Sequence, residues 1–135
     1  MILVCCIEDN FGMAFNRRRV SRDSALCADL AASAGTAPIY MDSRSGALFE
    51  GLGANIISCP DFAEKAGEGD YCFLEFSSPA RFEAMAEKII LYRWNRRYPS
   101  DLKFDIDLSR WICRSRADFP GSSHETITKE VYIRD

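Results

Sequence analysis

Residues 1–8 read MILVCCIE, an apolar run broken only at its last position. A nearly continuous run of this length predicts a strand buried on both faces, as in a parallel sheet. It has no basic flank and stops at Glu8, too short for the core of a secretory signal. The first question is therefore what packs on each side of it.

Outward from that strand the chain alternates. A loop runs through Asn10, Gly12 and Asn16. Ser21 then serves as an expected N-cap for a helix in which Leu26, Leu30, Ala31 and Ala34 recur at helical spacing until Gly35. A strand over 37–41 follows, then a short helix over 43–52 and a strand over 54–58. Pro60 opens a brief helix carrying Phe62, Ala63 and Ala66. A strand over 71–76 leads to Ser78-Pro79, a cap and first-turn proline for a helix with Phe82, Met85, Ala86 and Ile89 inward. That helix merges into a strand over 88–95. The last third gives two long strands, 108–116 and 124–134, joined at Phe119-Pro120-Gly121. In the second, Ile127, Val131 and Ile133 alternate with Thr128, Glu130 and Tyr132. Strand and helix alternation ending in a hairpin predicts an α/β domain, mostly parallel with an antiparallel edge.

Composition agrees with one domain over 1–135. The chain is 47% hydrophobic and 27% charged, with 17 basic and 20 acidic side chains and a net charge of -3. It is long enough to bury a core without disulfide or metal support. Disorder and collagen-like structure are excluded, and so is a membrane-spanning helix. The expected location is cytoplasmic.

The six cysteines lie mostly inside apolar runs and form no CxxC pair. Adjacent Cys5 and Cys6 point to opposite faces of a strand, so neither a disulfide framework nor a metal site is expected. His124 is the only histidine. A zinc hydrolase needing clustered histidines is excluded. A Ser-His-Asp or Cys-His mechanism would have to use His124, yet its Gly-Ser-Ser-His loop offers no local aid to placement.

The order of elements and several strings resemble dihydrofolate reductase. Glu8-Asp9-Asn10-Phe11-Gly12-Met13 resembles that family's first strand and the mobile loop over its substrate. The helix near Arg22-Asp23 resembles the one carrying its active-site acid. Tyr40-Met41-Asp42-Ser43-Arg44-Ser45 resembles its phosphate-binding turn. Ile90-Leu91-Tyr92, Asp101, Phe104, Trp111, Phe119-Pro120-Gly121 and Glu130-Val131-Tyr132-Ile133-Arg134 resemble its last three strands in order. The resemblance implies a three-layer domain with a mostly parallel central sheet and an antiparallel C-terminal hairpin. It implies that Asp23, or Asp29 in another register, is the proton-donating acid, with its pKa raised by burial. A carboxylate at Asp23 equally suits a first helical turn, where it complements the helix dipole.

The departures fall at the implied cofactor site. Family members carry a glycine at the phosphate turn where this chain has Asp42, and paired glycines beside the nicotinamide where it has Glu75-Phe76. The Pro-Trp element before the acid helix is replaced by Arg17-Arg18-Arg19. A strand near the adenosine end of the cofactor is absent from the pattern, and Tyr92 stands where the family has a threonine. No cofactor is expected on this reading, and NADPH enters only if the chain is a divergent reductase.

The remaining candidate residues are basic and aromatic. Arg17, Arg18, Arg19 and Arg22 precede Asp23, and Tyr92, Arg93 and Trp94 open an Arg-aromatic run. With Arg44, these form the expected ligand-binding set, the first loop and the late strand both bordering one cleft. Arginine, 13 of the 17 basic residues, suits bidentate phosphate or carboxylate contacts. The leading expectation is a non-reductase binding or accessory protein whose cleft holds a small anionic or heterocyclic ligand or a partner's acidic segment. The alternatives are a divergent NADPH-dependent reductase using Asp23 and a single-stranded nucleic-acid binder, RNA included.

Overall fold

A computed structural model describes residues 1–134. The opening run forms β1, Ile2–Ile7, buried along its whole length. It lies at the centre of a seven-stranded sheet. On one side β1 pairs in parallel with β6, Tyr71–Phe73, which pairs in parallel with β4, Pro38–Met41, and that with β5, Asn55–Ser58. On the other it pairs in parallel with β7, Lys88–Arg93. The C-terminal strands β9, Trp111–Phe119, and β10, Ile127–Arg134, form the antiparallel end, with β10 against β7 and β9 at the edge.

The alternation of β1 divides the core. Val4 and Cys6 face α1, Ser24–Ala34, meeting Leu26, Leu30, Ile39, Met41 and Tyr92. Leu3, Cys5 and Ile7 face the other layer, with Phe62, Phe82, Ile89, Trp111 and Tyr132. Each large aliphatic side chain so buried contributes about 1.5–3 kcal/mol, so the sheet is secured from both faces.

Several boundaries differ from the sequence expectation. The N-cap of α1 is Asp23, not Ser21: its side chain accepts from the amides of Ala25 and Leu26. The expected helices over 43–52 and from Pro79 are 3-10 turns, Gly46–Phe49 and Pro79–Met85. Both lack a side-chain cap, because Ser45 Oγ donates to Glu75 at 2.7 Å and Ser78 Oγ to Asp105. Met85 is 44% exposed, not inward. The last strand begins at Ile127 rather than at 124, because His124 is drawn off the ladder into other hydrogen bonds.

The first loop carries its own small sheet. Strand β2, Gly12–Phe15, runs between β3, Arg18–Arg19, and β8, Leu102–Lys103. Asn16 and Arg17, both with positive φ, make the two-residue hairpin between β2 and β3. The buried Glu8 carboxylate accepts from the Gly12 amide at 2.6 Å and from Ser100 Oγ at 3.2 Å. A Cβ on Gly12 would collide with both partners, so this approach requires glycine.

Candidate functional site

The side of α1 nearest its N-terminus faces the Gly46–Phe49 turn across a cleft of about 340 Å³. Arg19, Arg22, Cys27, Arg44 and Leu48 line it. A second cleft, about 380 Å³, adjoins Arg17, Arg44, Phe76 and Asp101. Arg44 lines both clefts.

A packed polar wall sits beside them. Glu75, buried just after β6, takes both nitrogens of the Arg19 fork, Nε at 3.1 Å and Nη2 at 3.0 Å. Arg19 Nη2 also donates to the Arg44 carbonyl at 2.8 Å. The Arg44 guanidinium lies 3.8 Å from the centroid of the Phe76 ring, stacked over it. Asp42 Oδ1 accepts from the Arg44 backbone amide at 2.8 Å and from its Nε at 3.0 Å. That guanidinium holds the Asp42 carboxyl below the usual carboxylate range, against the effect of burial. The turn thus carries its own anion.

The expected ligand-binding residues are separated by the fold. Arg17, Arg19, Arg22 and Arg44 border the two clefts, while Arg18 faces away toward Phe15, Val20 and Tyr98. The late strand does not border these clefts, a correction to the sequence reading. Tyr92 is 0% exposed; its position opposite Cys6 turns it under α1, where its hydroxyl donates to Asp29 Oδ2 at 2.6 Å. Arg93 Nε is bound to Glu130 at 2.8 Å. Trp94 is buried with its ring stacked on His124, centroids 4.7 Å apart.

Asp23 is also corrected. Burial raises its pKa, but donations from the amides of Ser122, Ser123 and Leu26 and from His124 outweigh it and hold the carboxyl well below the usual range. It is an ionised acceptor at neutral pH, not a proton donor. His124 Nδ1 lies 3.0 Å from Asp23 Oδ2. On the far side of the ring, Nε2 lies 3.0 Å from Ser21 Oγ and 2.9 Å from the Tyr98 hydroxyl. Nothing in the Gly-Ser-Ser-His loop itself supports His124. The support comes from residues 101 and 103 positions earlier. The one local signal was a serine two residues before a capping aspartate.

No protein-family model and no curated protein matches the sequence. Among solved structures, a dihydrofolate reductase from Enterococcus faecalis, described as complexed with NADP(H) and RAB-propyl, superposes with a TM-score of 0.66. The match covers 99% of this chain and 95% of that one at 12% identity. The fold is that of dihydrofolate reductase. At this identity the dihydrofolate reductase likeness extends to topology, including the mostly parallel sheet and its antiparallel C-terminal hairpin. Every residue of the polar wall must be read by its own chemistry.

Proposed function

We propose that the protein is a non-reductase binding protein on a dihydrofolate reductase-like fold, its cleft between α1 and the Gly46–Phe49 turn taking a small anionic, planar ligand. One observation carries this reading: the Asp42 carboxylate already occupies the backbone amide of Arg44, in the turn that resembles the family's phosphate-binding turn. An incoming phosphate would have to displace a carboxylate from its amide and its guanidinium, against like-charge repulsion. Glu75 and the Arg44-stacked Phe76 stand at the positions implied for paired glycines, with side-chain volume where backbone would have to meet a nicotinamide ring. The residues present do not fit NADPH, so hydride transfer is no part of the proposed function. Arg22 at this cleft, and Arg17 at the adjoining one, favour an anion instead, since neither side chain makes an ion pair among the described residues.

Thermal-shift titration with NADPH, folates, nucleotides and short single-stranded RNA tests the reading. A ligand at 100 times its dissociation constant stabilises by about 2.7 kcal/mol. The expected result is stabilisation by a small anionic heterocycle, lost in Arg22→Ala, and none by NADPH, whose dissociation constant should exceed about 1 mM, a standard binding free energy weaker than about 4 kcal/mol. NADPH binding at about 10 µM or tighter, about 7 kcal/mol, would overturn the reading in favour of a divergent reductase. Stabilisation by RNA alone would replace it with a nucleic-acid surface.

A further inference from the structure

At the end of the cleft where Asp23 lines it, one cluster joins a hydroxyl, an imidazole and a carboxylate in a line. Asp23 is 2% exposed and His124 4%, and both are fixed by more than each other. Asp23 Oδ1 accepts from the Ser122 amide at 3.0 Å, and Oδ2 from the Ser123 amide at 2.8 Å. The carboxylate therefore cannot rotate away, and its remaining direction is toward His124 Nδ1. An ionised acceptor there selects the imidazole tautomer that carries its proton on Nδ1 and leaves Nε2 as a lone-pair base. Trp94 holds the ring plane from one face, interplanar angle 26°. The lone pair of Nε2 then meets two hydroxyls, Ser21 at 3.0 Å and Tyr98 at 2.9 Å, which are themselves 3.3 Å apart.

We propose that Ser21 is a nucleophile activated by His124, with Asp23 as the positioning residue, and that the site transfers an acyl group from a small ester bearing an anionic end. The geometry meets the requirements for an activated hydroxyl: nucleophile to base and base to orienting carboxylate are both within hydrogen-bond reach. The second hydroxyl supplies what a pair alone lacks. Once Ser21 engages a carbonyl, the Tyr98 O–H stands beside it as a donor for the developing oxyanion. A cleft of about 360 Å³ reaches Tyr98 and Val20, the chain neighbour of Ser21. It offers the half-exposed Phe15 ring and Pro99 for an apolar acyl part, and Arg18, free of any ion pair among the described residues, for an anion.

The steps balance without a co-reactant other than water. Ser21 Oγ attacks the ester carbonyl carbon, its proton passes to His124 Nε2, and the carbonyl electron pair moves to oxygen. Collapse breaks the bond to the leaving alcohol, which takes the proton from Nε2. Water, deprotonated by the same nitrogen, then attacks the acyl-serine carbonyl; collapse breaks the bond to Oγ, which takes the proton from Nε2, releasing the acid and restoring Ser21.

Treatment of the native chain with a fluorophosphonate probe, read by intact and peptide mass spectrometry, tests the proposal. One adduct per chain on Ser21 is expected, with hydrolysis of p-nitrophenyl acetate that the adduct blocks. Ser21→Ala should abolish both while leaving the melting temperature nearly unchanged, and His124→Gln should slow adduct formation by about 100-fold or more. Should His124→Gln fail to fold, Tyr98→Phe carries the same test through a loss of about 100-fold in turnover. Absence of an adduct on Ser21 in the folded wild-type chain, or an adduct formed as fast in folded His124→Gln, would overturn the proposal and leave the cluster as a structural staple.

Discussion

Arg19 grips Glu75 with two parallel bonds, Nε to Oε2 at 3.1 Å and Nη2 to Oε1 at 3.0 Å, tying the first loop to the centre of the sheet. The arginines ahead of α1 therefore do different work. Arg19→Ala strands a carboxylate that is 8% exposed and should cost about 3 kcal/mol, while Arg22→Ala, on a solvated side chain, should stay within about 0.5 kcal/mol. Urea denaturation of the two variants separates them. Equal costs would mean that the Glu75 pair is not a structural contact.

The Asp23 carboxyl sets an acid limit on stability. Its folded pKa lies below the unfolded value, so its contribution is complete above the ordinary aspartate range and is lost as pH falls through and below it. The melting temperature should therefore decline below about pH 4.5 in the wild type and decline less steeply in Asp23→Asn. At pH 7 that variant should be about 2–4 kcal/mol less stable, since it loses the charge that six donors converge on. Parallel pH slopes in the two proteins would argue against the assignment.

Tyr92→Phe removes a hydroxyl and little else. The lost bond to Asp29 leaves that carboxylate still paired with Lys129 at 2.8 Å, so the cost should be about 1–1.5 kcal/mol. Because Tyr92 lies under α1, any ligand of the cleft should bind the variant with unchanged affinity. A tenfold loss in isothermal titration would return Tyr92 to the binding surface.

Thiol reactivity should follow burial. Cys113 is exposed and Cys59 half-buried, whereas burial pushes the Cys27 thiol up to about 11 and Cys72 to about 12, and raises Cys5 and Cys6 as well. A maleimide reagent on the native chain should modify Cys113 first and Cys59 next, and all six only after denaturation. Fast modification of Cys72 would show that β6 opens locally.

What the sequence made legible was what local pattern encodes. The apolar run at 1–8 could bury itself only as a central strand, and the alternation of Ile127, Val131 and Ile133 could suit only a strand with unequal faces. The arginine loop's approach to a cleft was legible, through Arg17, Arg19 and Arg22 but not Arg18, because the loop precedes the helix that forms one wall. The late run was not, since whether Tyr92 points under α1 or toward the cleft depends on its register opposite Cys6, and register is a property of pairing. His124 lay furthest from reach. Its loop carries no pattern of its own, and its setting is made by Ser21, Asp23, Trp94 and Tyr98, brought from separate parts of the chain.

The small sheet over the first loop bears on the timing of ligand entry. With β2 paired to β3 on one edge and to β8 on the other, and with the Asp101 amide donating to the Ala14 carbonyl at 2.9 Å and the Phe104 amide to the Phe11 carbonyl at 2.8 Å, the first loop is held in one defined shape. A pre-shaped wall has little entropy left to lose on association, so more of the contact energy appears as affinity. It also has no slow backbone closure to wait for. Stopped-flow mixing should then give one exponential phase whose rate climbs linearly with ligand concentration, paced by encounter and not by a flap.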